Sequence, residues 1–273
     1  MPELPEVEVV CRGLSPLLVG QRVSSVALMR ENLRFPLPAS MDRDLSGLVF
    51  SSVSRRSKYL LFHFDRGPVL VWHLGMTGQF HVLGQSAPLG AHEHVRINLE
   101  NGRALCYRDA RRFGYAGLLR PEALEGDKWF NRLGPEPLGD SFSAEYLIER
   151  CKGRKLPIKS LLMDAHVVVG VGNIYANEAL FRSGIHPARA AGKISKTRLP
   201  LLGEAVRSVL SEAIDAGGST ISDFVKVDGK PGYFAHQFRV YGREGKPCYQ
   251  CGRPVRRMVQ SGRSTFYCLV CQR

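Results

Sequence analysis

Four cysteines near the end of this 273-residue sequence have the spacing of a metal site. They form two Cys-x-x-Cys pairs with sixteen residues between them, Cys248 with Cys251 and Cys268 with Cys271. Each pair can present two sulfurs from one turn, and four thiolates can surround a tetrahedral Zn²⁺ with no coordination position left open. We therefore predict one structural Zn²⁺. The alternatives for this pattern are unrelated buried thiols or a redox pair.

The amino terminus can support covalent chemistry. Removal of Met1 would expose a secondary amine at Pro2, and an α-amine has a pKa of about 7.7–8.0, so part of it is neutral at neutral pH. A neutral amine can attack an aldehyde-like carbon and form an imine or iminium. Glu3, the next residue, can move a proton. The alternative is an ordinary terminal Met-Pro-Glu with no chemical role.

Three further stretches contain groups that could contact nucleic acid. Arg111 and Arg112 precede Phe113, and a guanidinium beside an aromatic ring can stack on bases or wedge between them. Taken alone, Phe113 would more often be a core side chain, and Met76 would usually fill a gap in the core. Asn173 can cap the helix that follows it, and the backbone N–H groups at that helix start could bind a phosphate.

The charge balance indicates a polyanionic partner. Lys and Arg total 38 against 25 Asp and Glu, which gives a net charge of +13. The last 48 residues contain ten basic and two acidic residues, a net charge of +8.

The sequence also excludes several classes of protein. No run of about 18 apolar residues could span a bilayer, and the acidic first residues are not a signal peptide. A polybasic membrane patch would need an amphipathic basic helix, which the pattern lacks. Clustered pairs among seven cysteines fit a reducing compartment. We predict a soluble cytoplasmic protein with no membrane partner.

Hydrophobic periodicity predicts strands first and helices later. A helical pattern opens at Pro5, and Ser15-Pro16 should end it. Short segments bounded by turn residues then predict a sandwich or barrel over about the first 130 residues. Those segments are 22–29, 49–53, 59–64, 69–73, 95–99, 104–107 and 115–119.

A linker rich in Pro and Gly, residues 134–139, marks a boundary. Helical patterns follow it, and Gly217-Gly218 supplies the expected C-cap of the last one. These patterns cover 144–151, 158–163, 174–182 and a long segment that ends at Ala216.

Together the motifs resemble those of the formamidopyrimidine-DNA glycosylase family over all 273 residues. Their order and separation are more specific than any one motif. Two departures, Ala110 and Leu269, stand where the family commonly has Pro, and neither removes a donor or a nucleophile. The matching stretches are PELPEVE (2–8), KYL (58–60), HLGMTG (73–78), RRFG (111–114), VGVGNIYA (169–176), DGKPGYF (228–234), VYGR (240–243), GRSTFYC (262–268) and CQ (271–272).

The resemblance implies an α+β multidomain fold. Residues 1–130 would form a catalytic β-sandwich with a short N-terminal helix, and 131–225 a helix–two-turn–helix DNA-binding domain. Residues 226–273 would contain a lesion-recognition loop and a four-cysteine zinc finger.

The resemblance also implies a bifunctional enzyme of base excision repair. It would act as a DNA glycosylase on oxidised purines such as 8-oxoguanine and formamidopyrimidines, and as an abasic-site lyase by β,δ-elimination. Its partner would be double-stranded DNA that contains oxidised bases or abasic sites. We expect no redox or nucleotide cofactor, a monomer, and a cytoplasmic protein that is nucleoid-associated when bound to DNA.

Residue roles follow from the same resemblance. Pro2 resembles the Schiff-base nucleophile, Glu3 its proton donor and relay, and Lys58 a phosphate contact that assists elimination. Arg263, in the zinc hairpin, resembles the arginine at the phosphates that flank the lesion. The family's DNA-contacting positions are matched by His92, Arg111, Arg154, Lys159 and Asn173. The side chains that fill the gap left by the extruded nucleotide are matched by Met76, Arg111 and Phe113.

Two other functions stay open. An endonuclease VIII-like glycosylase would share the fold and the proline nucleophile but prefer oxidised pyrimidines. The Leu4-Pro5 opening, Met76 and the extended 219–232 loop favour the purine enzyme. A non-catalytic zinc protein that only binds damaged DNA would need neither Pro2 nor Glu3, so the presence of both argues against it.

The charge distribution predicts a steep salt dependence of DNA binding. Six phosphate contacts would give a slope of about −5 in a plot of log K against log salt, because each contact releases counterions. Fluorescence anisotropy between roughly 50 and 200 mM salt measures this slope. A nearly flat plot would contradict phosphate binding by the basic C-terminal segment.

Overall fold

The structure, a computed structural model, describes residues 1–219 and 234–273. Within them the chain forms two compact units, one of residues 1–131 and 217–219 and one of residues 132–216 and 234–273. The predicted boundary at residue 225 and the motif residues 228–233 lie outside the described residues, as does most of the 219–232 loop. None of the helices in the two described stretches has the length and hydropathy to cross a lipid bilayer.

The first unit opens with helix α1, Leu4–Leu18. Its start is a reciprocal capping box, in which the Glu3 backbone N–H donates to Glu6 at 2.9 Å and the Glu3 side chain accepts from the Glu6 backbone. The prediction that Pro16 ends the helix is wrong, because α1 continues for two more residues. Pro16 removes one intrahelical hydrogen bond in the last turn, and Leu18, which is fully buried in the core, holds that turn in place.

Eight strands of the first unit form two antiparallel sheets, which confirms the predicted sandwich. The strands are β1 Val23–Leu28, β2 Phe50–Arg56, β3 Tyr59–Phe64, β4 Val69–His73, β5 Gln79–Gly84, β6 Glu93–Leu99, β7 Arg103–Arg108 and β8 Tyr115–Leu119. One sheet has the strand order β1-β6-β7-β5, and the other has the order β2-β3-β4-β8.

The core of this unit draws side chains from α1 and from both sheets. Phe50, Phe62, Trp72 and Tyr107 are all fully buried in it. Burial of each such side chain contributes about 1.5–3 kcal/mol. This core fixes the strand ends and turns that carry the candidate site residues.

Strand β5 and helix α2 (Met41–Leu45) of the first unit were absent from the sequence prediction. Strand β5 directly follows the HLGMTG motif, and only Phe80 of its six residues is fully inside the core. The short helix α2, Met41–Leu45, buries just its first and last residues. Both patterns are too short for periodicity to distinguish them from loops.

The second unit contains four α-helices among its described residues. They are α3 Ala144–Cys151, α4 Ile158–Leu162, α5 Asn173–Arg182 and α6 Arg198–Asp215. Gly217 and Gly218, with φ of 77° and 81°, follow the Ala216 C-cap of α6, as the sequence predicts. Their positive φ angles favour glycine because an L side chain is strained there.

A β-hairpin follows in the same unit, with strands β9 Arg256–Gln260 and β10 Arg263–Tyr267. Glu178 of α5 attaches the chain before this hairpin, because its buried carboxylate accepts backbone N–H groups from Arg239, Val240 and Tyr241 at 2.8–3.0 Å. Burial raises the pKa of Glu178, and the three N–H donors oppose that shift.

Candidate nucleic-acid interface and metal centre

Two buried carboxylates lie at the amino terminus. Pro2 is buried, and Glu3 and Glu6 are only 3% and 2% exposed. Glu6 Oε1 accepts hydrogen bonds from both the backbone N–H and the hydroxyl of Ser219, each at 2.8 Å. The sequence analysis missed Glu6, although a Glu at the third position of a capping box is a recognisable signal.

The charges around the terminal amine come from residues far apart in sequence. Burial is the largest influence and lowers the pKa of this amine, which in the full chain belongs to Met1, below its usual 8.0. Glu3 and Glu6 raise that pKa, while the positive charges of Lys58 and Arg111 lower it further. The charges of these four side chains therefore all influence the pKa of one amine.

Lys58 lies on the tight turn between β2 and β3. Ser57, the residue before it, is buried and has a positive φ of 56°. Arg55 holds this turn, since it donates to the Ser57 carbonyl at 2.8 Å and to Glu8 of α1 at 3.0 Å. The ion pair therefore connects the helix of the amino terminus with the turn that carries Lys58.

His73 is a second residue that the sequence analysis missed. It lies opposite Tyr59 in the β3–β4 pair, and its ring stacks on Tyr115 with centroids 4.9 Å apart. The Gly75 N–H donates to its Nδ1 at 3.0 Å, which leaves the ring proton on Nε2. Burial, and then the charges of Lys58 and Arg34, lower the pKa of His73 to about 4. It is a neutral donor at physiological pH.

Met76 and Phe113 are large apolar side chains that lie outside the core. They are 39% and 41% exposed, so the interpretation of both as core residues is wrong. The Arg111 guanidinium lies over the Phe113 ring, 4.7 Å from its centroid. Two exposed apolar groups and a cation over a ring are suited to contact with unstacked bases.

His92 occupies an irregular turn just before β6. Its φ is 59°, which is uncommon for a residue other than glycine. The next residue, Glu93, is buried and binds Arg96 at 2.7 Å. Arg96 also donates to the carbonyls of Ala87 and Pro88 in the preceding loop, so the ion pair stiffens the chain on which His92 lies.

In the second unit, Asn173 does not cap α5. Gly172 is the N-cap, and the Asn173 side chain instead donates to the Ser264 carbonyl of β10 at 3.0 Å. Lys159 of α4 is only 2% exposed, and its ammonium donates to Thr265 at 2.6 Å and to the same Ser264 carbonyl at 3.2 Å. Both predicted DNA contacts thus attach the helices to the hairpin.

Arg263 and Arg154 both have exposed side chains. Arg263 begins β10 beside an open pocket of about 250 Å³. This pocket could accept a phosphate oxygen, because a lysine and an arginine are among its lining residues. Its lining residues are Lys159, Ser160, Met163, Gln260, Ser261 and Arg263.

The four predicted zinc ligands come together in the second unit. All four sulfurs lie within 4.8 Å of one another, with Cys248 and Cys271 at 3.9 Å and Cys251 and Cys268 at 3.4 Å. A tetrahedron of sulfurs about 2.3 Å from Zn²⁺ has edges of about 3.8 Å. The donor set therefore fits one structural zinc.

Comparison with known proteins identifies three matching family models. The formamidopyrimidine-DNA glycosylase N-terminal domain matches residues 1–116, the H2TH domain of the same glycosylase matches 133–225, and a zinc finger found in FPG and IleRS matches 245–273. Curated formamidopyrimidine-DNA glycosylases from Dinoroseobacter shibae and Syntrophotalea carbinolica are 48% and 49% identical, and each alignment covers 100% of both chains.

Solved structures agree in fold. A Lactococcus lactis FPG mutant in complex with Fapy-dG containing DNA is 30% identical, with a TM-score of 0.93 and 99% coverage of both chains. The MutM (FPG) protein of Thermus thermophilus is 42% identical, with a TM-score of 0.86 and coverage of 99% of this chain and 98% of that one.

The metal centre generates a direct test. Replacing Cys268 by Ser should release stoichiometric zinc and most DNA binding, because three thiolates no longer enclose the metal and β10 loses its support. The first unit has its own core and should stay folded. Metal analysis, DNA binding and thermal unfolding measure the three effects.

Cys151→Ser is the matched control, since Cys151 is a buried cysteine of the same unit outside the cluster. It should retain zinc. Wild-type protein without stoichiometric zinc would contradict the assignment.

Proposed function

This chain belongs to the formamidopyrimidine-DNA glycosylase family and is a DNA glycosylase and abasic-site lyase of base excision repair; from that premise we propose which residues perform the reaction. Pro2, once Met1 is removed, is the nucleophile, and Glu3 is its proton donor and relay. Lys58 binds a phosphate next to the reacting sugar and assists elimination.

The single observation that carries this proposal is the setting of the terminal amine. In the full chain, burial lowers the pKa of the Met1 amine. Pro2 is itself buried, so the same cause should favour a neutral and nucleophilic amine at Pro2 once Met1 is removed. The Glu3 carboxyl is adjacent in sequence and buried, which favours short proton transfers over exchange with bulk water.

The proposed reaction has two stages. In the first, the proline lone pair forms a bond to the sugar C1′, the glycosidic electron pair leaves with the base, and the proton that the proline nitrogen then loses neutralises the leaving base. Glu3 protonates the ring oxygen as the sugar opens to an iminium. In the second, the iminium makes the C2′ proton acidic, and its loss expels the 3′ phosphate. Loss of the C4′ proton from the conjugated iminium then expels the 5′ phosphate. Water finally releases the sugar fragment from Pro2.

The remaining residues have roles in DNA binding. Chemistry at C1′ requires extrusion of the nucleotide, and unstacking costs a few kcal/mol. We assign Met76, Arg111 and Phe113 to the space that the nucleotide leaves, since two are exposed apolar groups and the third lies over an aromatic ring. His92, as a polar residue on a stiff turn, and His73, as a neutral Nε2–H donor, would bind backbone phosphates.

In the second unit, Arg263 and Arg154 are exposed cations suited to phosphate. Lys159 and Asn173 would support Arg263 through their hydrogen bonds to β10, and they can offer a remaining donor to DNA. The zinc would hold the hairpin that carries Arg263, without a part in the reaction. Duplex DNA with oxidised bases or abasic sites is the proposed partner, and the monomeric state and cytoplasmic location stay predictions.

We propose ring-opened and oxidised purines as the principal substrates, because the curated relatives have the name formamidopyrimidine-DNA glycosylase. Oxidised pyrimidines are a second candidate, since one Lactococcus lactis FPG complex contains an oxidised pyrimidine in its DNA. Excision rates on matched duplexes that carry 8-oxoguanine or an oxidised pyrimidine would rank the two classes.

The nucleophile assignment predicts the site of covalent trapping. Borohydride should link DNA containing 8-oxoguanine to the N-terminal peptide, and an uncleaved N-terminal extension should abolish both trapping and strand scission. Lys58→Ala should still trap, more slowly. Peptide mapping by mass spectrometry distinguishes the two amines: a crosslink on Lys58, or one that survives a blocked terminus, would refute the proline mechanism.

The same assignment predicts the pH dependence. Trapping should rise with pH, because the amine must lose its proton before it attacks. In the full chain the Lys58 charge lowers the pKa of the Met1 amine, and it should act in the same direction on the Pro2 amine, so Lys58→Ala should move the midpoint of the pH profile to higher pH. Arg12→Ala, a change at an exposed residue of α1, should leave the midpoint where it is.

The wedge assignment predicts a difference between substrates. Phe113→Ala should slow excision of an oxidised base from duplex DNA by about tenfold or more, since insertion offsets part of the unstacking cost of a few kcal/mol. Strand cleavage at a preformed abasic site should change less, because that sugar is easier to extrude. Single-turnover kinetics on the two duplexes measure both rates, and equal losses would argue against a wedge.

A further inference from the structure

We propose that Asp109 is the positioning residue of the wedge. Its buried carboxylate joins the segment 74–78, which carries Met76, to the segment 109–114, which carries Arg111 and Phe113. The inference rests on the wedge role assigned above to those three side chains. All the contacts that support it lie within the first unit.

Three donors from different parts of the chain converge on this carboxylate. Asp109 is 0% exposed, and its Oδ1 accepts the hydroxyl proton of Thr77. Its Oδ2 accepts the Gly114 N–H at 2.8 Å and the Tyr107 hydroxyl at 3.2 Å. A buried carboxylate is costly unless such donors satisfy it, so the segments that supply them are held strongly.

Thr77 extends the connection to Arg111. Its Oγ1 accepts the Arg111 backbone N–H at 3.1 Å while its single proton points to Asp109. Because a hydroxyl has one proton to give, the carboxylate fixes the direction of this relay. The backbone of Arg111 is thereby tied to the neighbour of Met76.

The two segments touch through backbone rather than through interlocking side chains. A Cβ on Gly75 would overlap the carbonyl group of Phe113, and one on Gly114 would overlap the Tyr107 hydroxyl. Gly75 also has a positive φ of 66°. Because neither glycine brings a side chain of its own to these contacts, we infer that the hydrogen bonds to Asp109 set the relative position of the two segments.

The Asp109 backbone reaches a third candidate DNA contact. Its N–H donates to the carbonyl of His92 at 3.0 Å, and its carbonyl accepts from the His94 Nε2 at 2.8 Å. Asp109 therefore forms hydrogen bonds with three segments: the one that carries Met76, the one that carries Arg111 and Phe113, and the one that carries His92. Asp109 itself cannot touch DNA, because it has no exposed surface.

Asp109→Asn in the full-length, zinc-containing protein tests the proposal. The amide replaces one acceptor oxygen by a donor, so either Thr77 or Gly114 loses its acceptor. Excision from duplex DNA should fall about tenfold to a hundredfold, the usual cost of a misplaced group. Cleavage of a preformed abasic site should fall much less. The fluorescence rise of 2-aminopurine beside the lesion, which reports unstacking, should be weaker.

Two substitutions at Thr77 test the proposal even if Asp109→Asn fails to fold. Thr77→Val removes the relay hydroxyl at nearly the same volume and should reproduce the loss of excision and of 2-aminopurine fluorescence. Thr77→Ser restores the hydroxyl and should rescue both. Equal behaviour of Val and Ser at this position would overturn the proposal.

Asp42→Ala is the control for stability alone, because it removes the whole acceptor group. Asp42 lies in α2 of the same unit, where its Oδ1 accepts the Val26 N–H at 2.6 Å and the Ser46 hydroxyl at 3.0 Å. Its substitution should lower the melting temperature without changing the ratio of the two cleavage rates. A changed ratio in this control would show that the readout follows stability, and the proposal would fall.

A double-mutant cycle separates this inference from the function on which it rests. If Asp109 acts through the wedge, the loss of duplex excision in Asp109→Asn combined with Phe113→Ala should be smaller than the product of the two single losses. Fully additive losses would overturn the positioning role while the wedge role stands. If Phe113→Ala by itself leaves excision unchanged, the wedge assignment and this inference both fail.

Discussion

Buried carboxylates that accept hydrogen bonds from other segments of the chain are the interaction on which this structure depends. Glu6, Asp109 and Glu178 are each almost fully buried, and each accepts donors from a different part of the chain. A carboxylate without donors would be very costly inside a protein, so each one fixes the segments that satisfy it. The three lie beside the terminal amine, behind the wedge segments and behind the chain that leads to the zinc hairpin.

This constraint explains why the reactive groups can be so simple. An amine, a carboxyl and a lysine can perform this reaction if their surroundings shift their pKa values and hold their positions. Burial lowers the pKa of the terminal amine, and the Glu8–Arg55 pair connects its helix to the turn of Lys58. The Glu3 carboxylate caps α1 and also raises the pKa of the amine, so one capping motif serves both the helix and the site.

The sequence predicted those features that depend on local spacing. The zinc ligands, the strands of the sandwich, the C-cap of α6 and the family all follow from patterns within short windows or from motif order. It did not predict Glu6, His73 or Asp109, since their importance arises from partners up to about two hundred residues away, such as Ser219 for Glu6. Pro16 and Asn173 were misjudged for a related reason: tertiary burial of Leu18 and a hydrogen bond to Ser264 outweighed local rules.

The position of the zinc hairpin depends both on the metal site and on polar contacts. The thiolates fix the base of the hairpin, but Arg263 lies at its other end, where β10 begins. There Lys159 and Asn173 donate to the Ser264 carbonyl, and the Phe266 N–H donates to Asn177 at 2.7 Å. A two-stranded hairpin is marginal alone, so zinc without these bonds would leave the position of Arg263 poorly defined. Lys159 and Asn173 therefore matter to phosphate recognition even where their own donors are already engaged with β10.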